Sequence, residues 1–158
     1  MTLEQVGRLK GNRECIALNR PIFIKRQTGE NMKADFIILT NNPLIVEKLG
    51  QEYSVEYEDI SYEDTLKKVR EYIYKGHELL THPLSGSVKP NETPYKSVMV
   101  SDKVKGLNPD AVKIIEQAIQ SCGKFEFKSD KYAEDVYDDF QYIDYTLISS
   151  ALPSATAW

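Results

Sequence analysis

The sequence is poor in cysteine and has no long apolar run, and each shortage excludes a class of protein. Its 158 residues include two cysteines, Cys15 and Cys122, whose separation matches no disulfide framework and no zinc-ligand spacing. No apolar stretch approaches the roughly 18 residues that a membrane-spanning helix needs, so we expect no membrane span. The N-terminus lacks the apolar segment of a secretory signal peptide, which predicts a cytoplasmic protein.

Motifs that hold metals or cofactors are also missing. The two histidines, His77 and His82, have no metal-ligand spacing with another strong ligand, so no metal site is predicted. The chain has no Walker A pattern, no dinucleotide fingerprint and no nucleophile elbow. We therefore predict no cofactor.

Charge is divided unevenly along the chain. The first 33 residues carry seven Lys or Arg against three acidic side chains, whereas residues 34–158 carry 13 against 21. The formal net charge is −4. Because the acidic residues 34–158 would repel the phosphate backbone of a nucleic acid, nucleic-acid binding is not expected.

The distribution of charged and apolar residues divides the chain into three parts. Residues 1–31 read as an N-terminal extension, either weakly ordered or adding an edge strand at 21–24, and both interpretations stay open. An α/β domain is predicted for residues 32–128. Residues 129–158 are predicted to form an acidic, tyrosine-rich C-terminal helix and tail.

Within the middle part, strand patterns alternate with helix patterns. The continuous apolar run 36–39 predicts a strand covered on both faces. Three apolar stripes are each preceded by a residue that can cap a helix, namely Asn42, Ser61 and Asn108. Further strands are predicted at 53–58, 78–81 and 97–100, with a fifth around Phe125 and Phe127.

Strand–helix–strand alternation predicts a mainly parallel sheet with helices on both faces. The expected fold is a small three-layer α/β/α domain with a sheet of four or five strands, Rossmann-like or flavodoxin-like. A strand order of 2-1-3-4 would place the first and third strands side by side. Their carboxyl ends would then form a switch point, where such sheets bind ligands.

The segment THPLSGSVKPNETPYKS, at 81–97, is the main candidate for a ligand site. A connection of this length without secondary structure is often functional. Its glycine allows close backbone approach, and its lysines add positive charge, which together predict a small anion such as a phosphate or carboxylate. The candidate ligand-binding residues in it are His82, Ser85, Gly86, Ser87, Lys89, Asn91, Thr93 and Lys96. The alternative is a surface loop that its prolines make rigid.

A second candidate is the turn TNNP at 40–43. Thr40, Asn41 and Asn42 leave a strand and enter a helix N-terminus, whose partial positive charge favours anions. The alternative is a helix cap with no ligand. The ligand hypothesis is strengthened only if this turn lies against the segment that begins at His82. His82 is also the one candidate catalytic acid or base.

The acidic stretch at 130–145 predicts an amphipathic helix. Its apolar stripe would pack on the sheet: Tyr132, Val136, Phe140 and Ile143. Asp135, Asp138 and Asp139 would then face water, either as a solvated face or as a docking site for a basic partner. The last twelve residues are expected to be loosely attached.

Two blocks of the sequence resemble a known family. FIILTNNP and GHELLTHPLSGSVKPNETPYKSVMVS are similar to the GrdX family, over roughly residues 32–122. The resemblance implies a protein of amino-acid-fermenting anaerobes, encoded beside glycine, sarcosine and betaine reductases. These selenium-dependent enzymes make acetyl phosphate and take electrons from thioredoxin. The family supplies no catalytic residues to transfer.

Three functions therefore remain open. One is a non-enzymatic accessory module that holds a small anion. Another is a small enzyme acting on a phosphorylated or amino-acid-derived metabolite, with His82 as acid–base and Lys89 or Lys96 holding the anion. The third is an assembly factor whose partners are the reductase components.

Overall fold

The computed structural model describes residues 34–86, 89–90, 92–126 and 131–157. The predicted N-terminal extension, residues 1–31, lies outside these ranges. In chain order the elements are β1 (Phe36–Thr40), α1 (Pro43–Leu49), β2 (Ser54–Tyr57), α2 (Tyr62–Tyr74), β3 (His77–Leu79), β4 (Ser97–Val104), α3 (Pro109–Cys122) and α4 (Glu134–Thr156).

Three helices begin at the predicted caps. The side chain of Asn42 accepts a hydrogen bond from the first turn of α1, Ser61 from that of α2, and Asn108 from that of α3. Each cap gives an otherwise unpaired backbone N–H an acceptor, which is typically worth about 1 kcal/mol. These three predictions are confirmed.

The four strands form one mixed sheet in the order β2-β1-β4-β3. β1 and β2 are parallel, but β4 is antiparallel to both β1 and β3. The prediction of a mainly parallel sheet is therefore wrong. A parallel pair needs a crossover, usually a helix, and no helix occurs in the described residues between β3 and β4. β4 therefore starts at the same end of the sheet at which β3 ends, and it runs in the opposite direction.

The sequence did not determine the strand order, and the order 2-1-3-4 considered above is not the one that forms. β1 lies between β2 and β4, so the first and third strands are not neighbours. An antiparallel strand beside β1 also means that the Rossmann-like or flavodoxin-like arrangement is not confirmed. Of the predicted fifth strand, Phe125 lies outside any strand, and Phe127 lies outside the described residues.

Helices cover both faces of the sheet, as the apolar run in β1 predicts. Ile37 and Leu39 pack on one face with α2 and α3, whereas Phe36 and Ile38 pack on the other. That second cluster includes α1 residues and Ile148 of α4. Because successive strand residues point to opposite faces, a run of four apolar residues supplies both layers.

α4 is longer than predicted and uses a different face. It continues through Thr156, so the segment expected to be loosely attached is its C-terminal half. The stripe that meets the sheet layer contains Asp144, Ile148, Ala151, Leu152 and Ala155, while the predicted stripe residue Ile143 is 40% exposed. As predicted, the aspartates at 135, 138 and 139 are exposed. Neither α4 nor any other helix in the described ranges is long and apolar enough to cross a membrane.

Candidate functional site

Hydrogen bonds connect the end of β1 to the start of β4 and then to α4. Thr40 and Ser97 face each other in the antiparallel register, with 2.7 Å between their hydroxyl oxygens. The Asn42 N–H donates to Thr40 Oγ1 over 2.9 Å, and Ser97 Oγ donates to Asp144 Oδ2 over 2.7 Å. The Thr40 hydroxyl therefore donates to Ser97, and all the donors point towards one carboxylate. Hydrogen bonds that follow one another in this way strengthen each other inside a protein.

Asp144 is the buried acid at the end of this chain. It is 5% exposed and also accepts hydrogen bonds from the Ser97 N–H (3.0 Å) and from Asn42 Nδ2 (3.0 Å). Burial raises the pKa of its carboxyl, while the hydrogen bonds from Ser97 and Asn42 and the charge of Lys96 oppose that rise. Three donors on two oxygens are the arrangement that an ionised carboxylate satisfies.

Asn42 both caps α1 and donates a hydrogen bond to the Asp144 carboxylate. Its Oδ1 accepts the Leu44 N–H over 3.0 Å, which confirms the cap prediction, and its Nδ2 donates to the Gln141 carbonyl and to Asp144. The residue is fully buried. All three contacts are internal, and together they join the start of α1 to α4.

The turn at 40–43 and the segment at 82–96 do meet, through Asn41. Its Nδ2 donates to the carbonyls of Ile60 (2.9 Å) and Pro94 (2.8 Å), and its Oδ1 accepts the Lys96 N–H (2.7 Å). Both amide hydrogens of Asn41 are therefore used within the protein. Asn41 fixes the backbone from which the Lys96 side chain leaves.

Lys96 places a cation where water has little access. The residue is 5% exposed, and its Nζ donates to the Ser85 carbonyl over 3.2 Å. No carboxylate of the described residues forms an ion pair with it. Burial lowers the pKa of its amine, against the opposing charge of Asp144.

A small pocket opens beside Lys96. Its volume is about 20 Å³, enough for one or two water-sized groups. The lining residues come from α2, the 82–96 segment and α4: Tyr62, Ser85, Thr93, Tyr95, Lys96, Ile143, Asp144 and Leu147. Burial raises the pKa of the Tyr62 hydroxyl, so this group stays protonated at neutral pH.

The other predicted site residues of the 82–96 segment are spread along it. His82 is exposed, and its Nδ1 accepts the Leu84 N–H over 3.1 Å, which stabilises a local turn away from the pocket. Lys89 is exposed as well. Thr93 is buried, and its hydroxyl accepts the Tyr95 N–H over 3.3 Å. Ser87 and Asn91 lie outside the described residues.

Gly86 lies against α4 beside the pocket. Its φ of +109° is one that side-chain-bearing residues rarely adopt, and a Cβ there would stand 2.6 Å from Leu147 Cδ1. The close contact places the segment directly on Leu147. Glycine is therefore needed at this position for a structural reason.

Asp144 is the site residue that the sequence analysis missed. A signal was present, because Asp144 shares a helix face with Ile148, Leu152 and Ala155 at the 3.6-residue spacing. An acid inside an apolar stripe indicates a buried, hydrogen-bonded carboxylate. Among the described residues, no group of three or more His, Cys, Asp or Glu side chains is placed to hold a metal ion.

Cys122 is buried on α3 near this site, and we predict that ionisation of its thiol makes the fold less stable in alkali. Burial raises its pKa from 9.0 to about 11. Because the folded state keeps the thiol proton longer, its contribution to stability is present below about pH 9 and is lost as the pH rises towards about 11. We expect urea denaturation of Cys122→Ala to show a smaller decrease between about pH 7 and about pH 10 than the unchanged chain shows. Equal decreases in the two proteins would contradict this.

A family model described as GrdX-like protein matches residues 37–153, which is most of the chain. The match includes the turn at 40–43, the 82–96 segment and Asp144. Searches of curated proteins and of solved structures gave no match.

Proposed function

The chain belongs to the GrdX-like protein family, and from this premise we propose an accessory protein of glycine, sarcosine and betaine reductase systems that binds a small anion beside Lys96. The observation that carries the binding function is the nearly buried Lys96 amine at the pocket, with a neutral carbonyl as its hydrogen-bond acceptor. The link to the reductases rests on the family.

A buried ammonium group is costly unless a negative charge or several acceptors compensate for the lost water. An ammonium has three donors, and Ser85 O takes one of them. Asp144 contributes a nearby negative charge, but its oxygens already accept hydrogen bonds from Ser97 and Asn42. An anion in the pocket would accept the remaining donors.

The geometry favours binding over catalysis. His82, the candidate acid–base, lies on the exposed surface and is not among the residues that line the pocket. A general acid or base must come within hydrogen-bond reach of the proton it transfers. The assembly function is supported only by the exposed aspartates of α4, which give a negatively charged face that reductase components could contact.

Thermal denaturation of the full chain tests the anion site. Acetate, phosphate, glycine and acetyl phosphate would each be added, and a ligand at one hundred times its Kd should stabilise the fold by about 2.7 kcal/mol. We expect Lys96→Met to abolish this stabilisation because, among the described residues, it removes the one cation that lines the pocket.

Lys89→Met is the matched control, since Lys89 belongs to the same segment but is exposed. It should keep the full response. Loss of stabilisation in both variants, or in neither, would show that the anion binds elsewhere. Absence of any stabilisation in the unchanged chain would reject the anion-binding function and leave assembly with the reductases to be tested by co-purification.

A further inference from the structure

The outer edge of β2 is a surface on which a further strand can pair. β2 stands first in the order β2-β1-β4-β3, and among the described residues it pairs with β1 alone. We propose that this edge is a docking site for the basic segment at 19–26 of the same chain, which pairs there as an additional strand. No β2 residue lines the pocket beside Lys96, so the inference does not depend on the anion-binding function.

The direction of the main-chain groups shows which positions of β2 are open. The Glu58 N–H, directly after the strand, donates to the Thr40 carbonyl of β1 over 3.1 Å. Because main-chain groups alternate in direction along a strand, Val55 and Tyr57 point their N–H and C=O groups away from β1. No strand of the described ranges lies on that side. Such groups are a template for pairing with another extended segment.

Charge restricts the segment that can occupy this edge. Between residues 52 and 59 the chain carries four carboxylates and no Lys or Arg, the carboxylates being Glu52, Glu56, Glu58 and Asp59. Within the described part of the chain, Lys68 of α2 is the cation that forms ion pairs here, with Glu56 and Glu58. One lysine against four carboxylates leaves an excess of negative charge, which attracts a strand that carries Lys or Arg.

The opposite edge of the sheet, β3, fits a basic segment less well. β3 has three residues, and its register against β4 is irregular. Glu78 at its centre already forms an ion pair with Lys105, with 2.7 Å between nitrogen and oxygen. Lys75 precedes the strand. This edge therefore has no excess of negative charge to attract further cations.

The segment at 19–26, NRPIFIKR, has the composition that the β2 edge requires. It contains Arg20, Lys25 and Arg26 and no acidic residue. Its apolar centre consists of residue types that favour strands. Pro21 lacks a backbone N–H, so it is tolerated only at the edge of a sheet, and lysine on an outermost strand opposes pairing with further chains. These are the features of a strand that completes an edge.

The connection from this segment to β1 is long enough to reach the β2 edge. Ala34 and Tyr53, which precede β1 and β2, both pack on the cluster that contains Phe36. The nine residues at 25–33 span at most about 30 Å, whereas the outer edge of β2 lies two strand spacings, about 10 Å, from β1. An antiparallel strand ends where the next one begins, so we expect the segment at 19–26 to run antiparallel to both strands.

Hydrogen exchange of the full chain, followed by NMR, tests the docking. We expect the Val55 and Tyr57 amides to exchange at least about tenfold more slowly in the unchanged chain than in Phe23→Pro, because proline removes a donor from the middle of the added strand. A synthetic peptide of residues 19–26, added to Phe23→Pro, should restore slow exchange. Its effect should be smaller at about 0.5 M NaCl, since salt screens the attraction between exposed charges.

Thr28→Pro is the matched control, since it introduces the same residue into the same part of the chain but outside 19–26. It should keep the slow exchange of the two β2 amides. Equal exchange in the unchanged chain and Phe23→Pro would overturn the docking. Equal rescue by a peptide with glutamate in place of its three cations would overturn the role of charge. Slow exchange that appears only as protein concentration rises, with a dimer mass by light scattering, would overturn the proposal in favour of a second copy at this edge.

Discussion

Replacing Asp144 by alanine is expected to lower the free energy of unfolding by about 3–5 kcal/mol. The substitution removes the acceptor of three buried donors, which are the Ser97 N–H, the Ser97 hydroxyl and the Asn42 amide. It also takes away the negative charge that offsets the effect of burial on the Lys96 amine. Urea denaturation would show the loss as a lower midpoint with an unchanged slope.

Asp138→Ala is the control for this effect. Asp138 lies on the same helix but is exposed, so its removal should change the free energy of unfolding by no more than about 0.5 kcal/mol. Asp144→Asn should fall between the two, because the amide keeps the shape and one acceptor oxygen but turns a donor towards the donors around it. Equal stability of the Asp144→Ala and Asp138→Ala variants would show that the buried hydrogen bonds contribute nothing.

Local features of the fold were predictable because local residues determine them. A helix begins where a short polar side chain can accept a backbone N–H two or three residues later, and Asn42, Ser61 and Asn108 all do so. The apolar run in β1 indicated burial on both faces for the same reason, since side chains alternate along a strand.

The direction of β4 was not predicted because it depends on how a long connection returns to the sheet. The strand–helix alternation stops after β3, and the described part of the following segment contains no helix. Without a helical crossover, an antiparallel return is the simpler path. Applying the parallel rule through this segment produced the wrong direction for β4, and the missing helix was the signal against it.

The candidate site was predicted in part. The two polar segments meet as the ligand hypothesis required, through Asn41 and the Lys96 N–H. Lys96 of the second segment lines the pocket, whereas the turn at 40–43 does not. Asp144 comes from a helix more than forty residues further along the chain. The apolar stripe around it indicated a buried carboxylate but could not indicate its position beside Ser97 and Lys96. Asn41 and Asn42 drew attention as anion-binding groups, whereas their side-chain contacts in the described residues are all with the protein itself.

Asn41→Ala is expected to destabilise the fold by about 2–4 kcal/mol. The change leaves the Lys96 N–H and the carbonyls of Ile60 and Pro94 without the partner they have now. Water can reach part of this region, so the cost should be below the sum for three fully buried groups. Hydrogen exchange should also become faster at the Lys96 amide, since its acceptor is lost, and the midpoint of urea denaturation reports the global effect.

Asn108→Ala separates this role from simple capping. Among the described residues, Asn108 accepts hydrogen bonds from the first turn of α3 alone, so its loss should cost about 1 kcal/mol and leave exchange at Lys96 unchanged. If Asn41→Ala costs no more than Asn108→Ala, the segment at 82–96 is held by its other contacts. A larger cost with faster exchange at Lys96 would mean that one asparagine side chain holds the segment against the sheet. The position of Lys96 at the pocket would then depend on a residue that does not itself line the pocket.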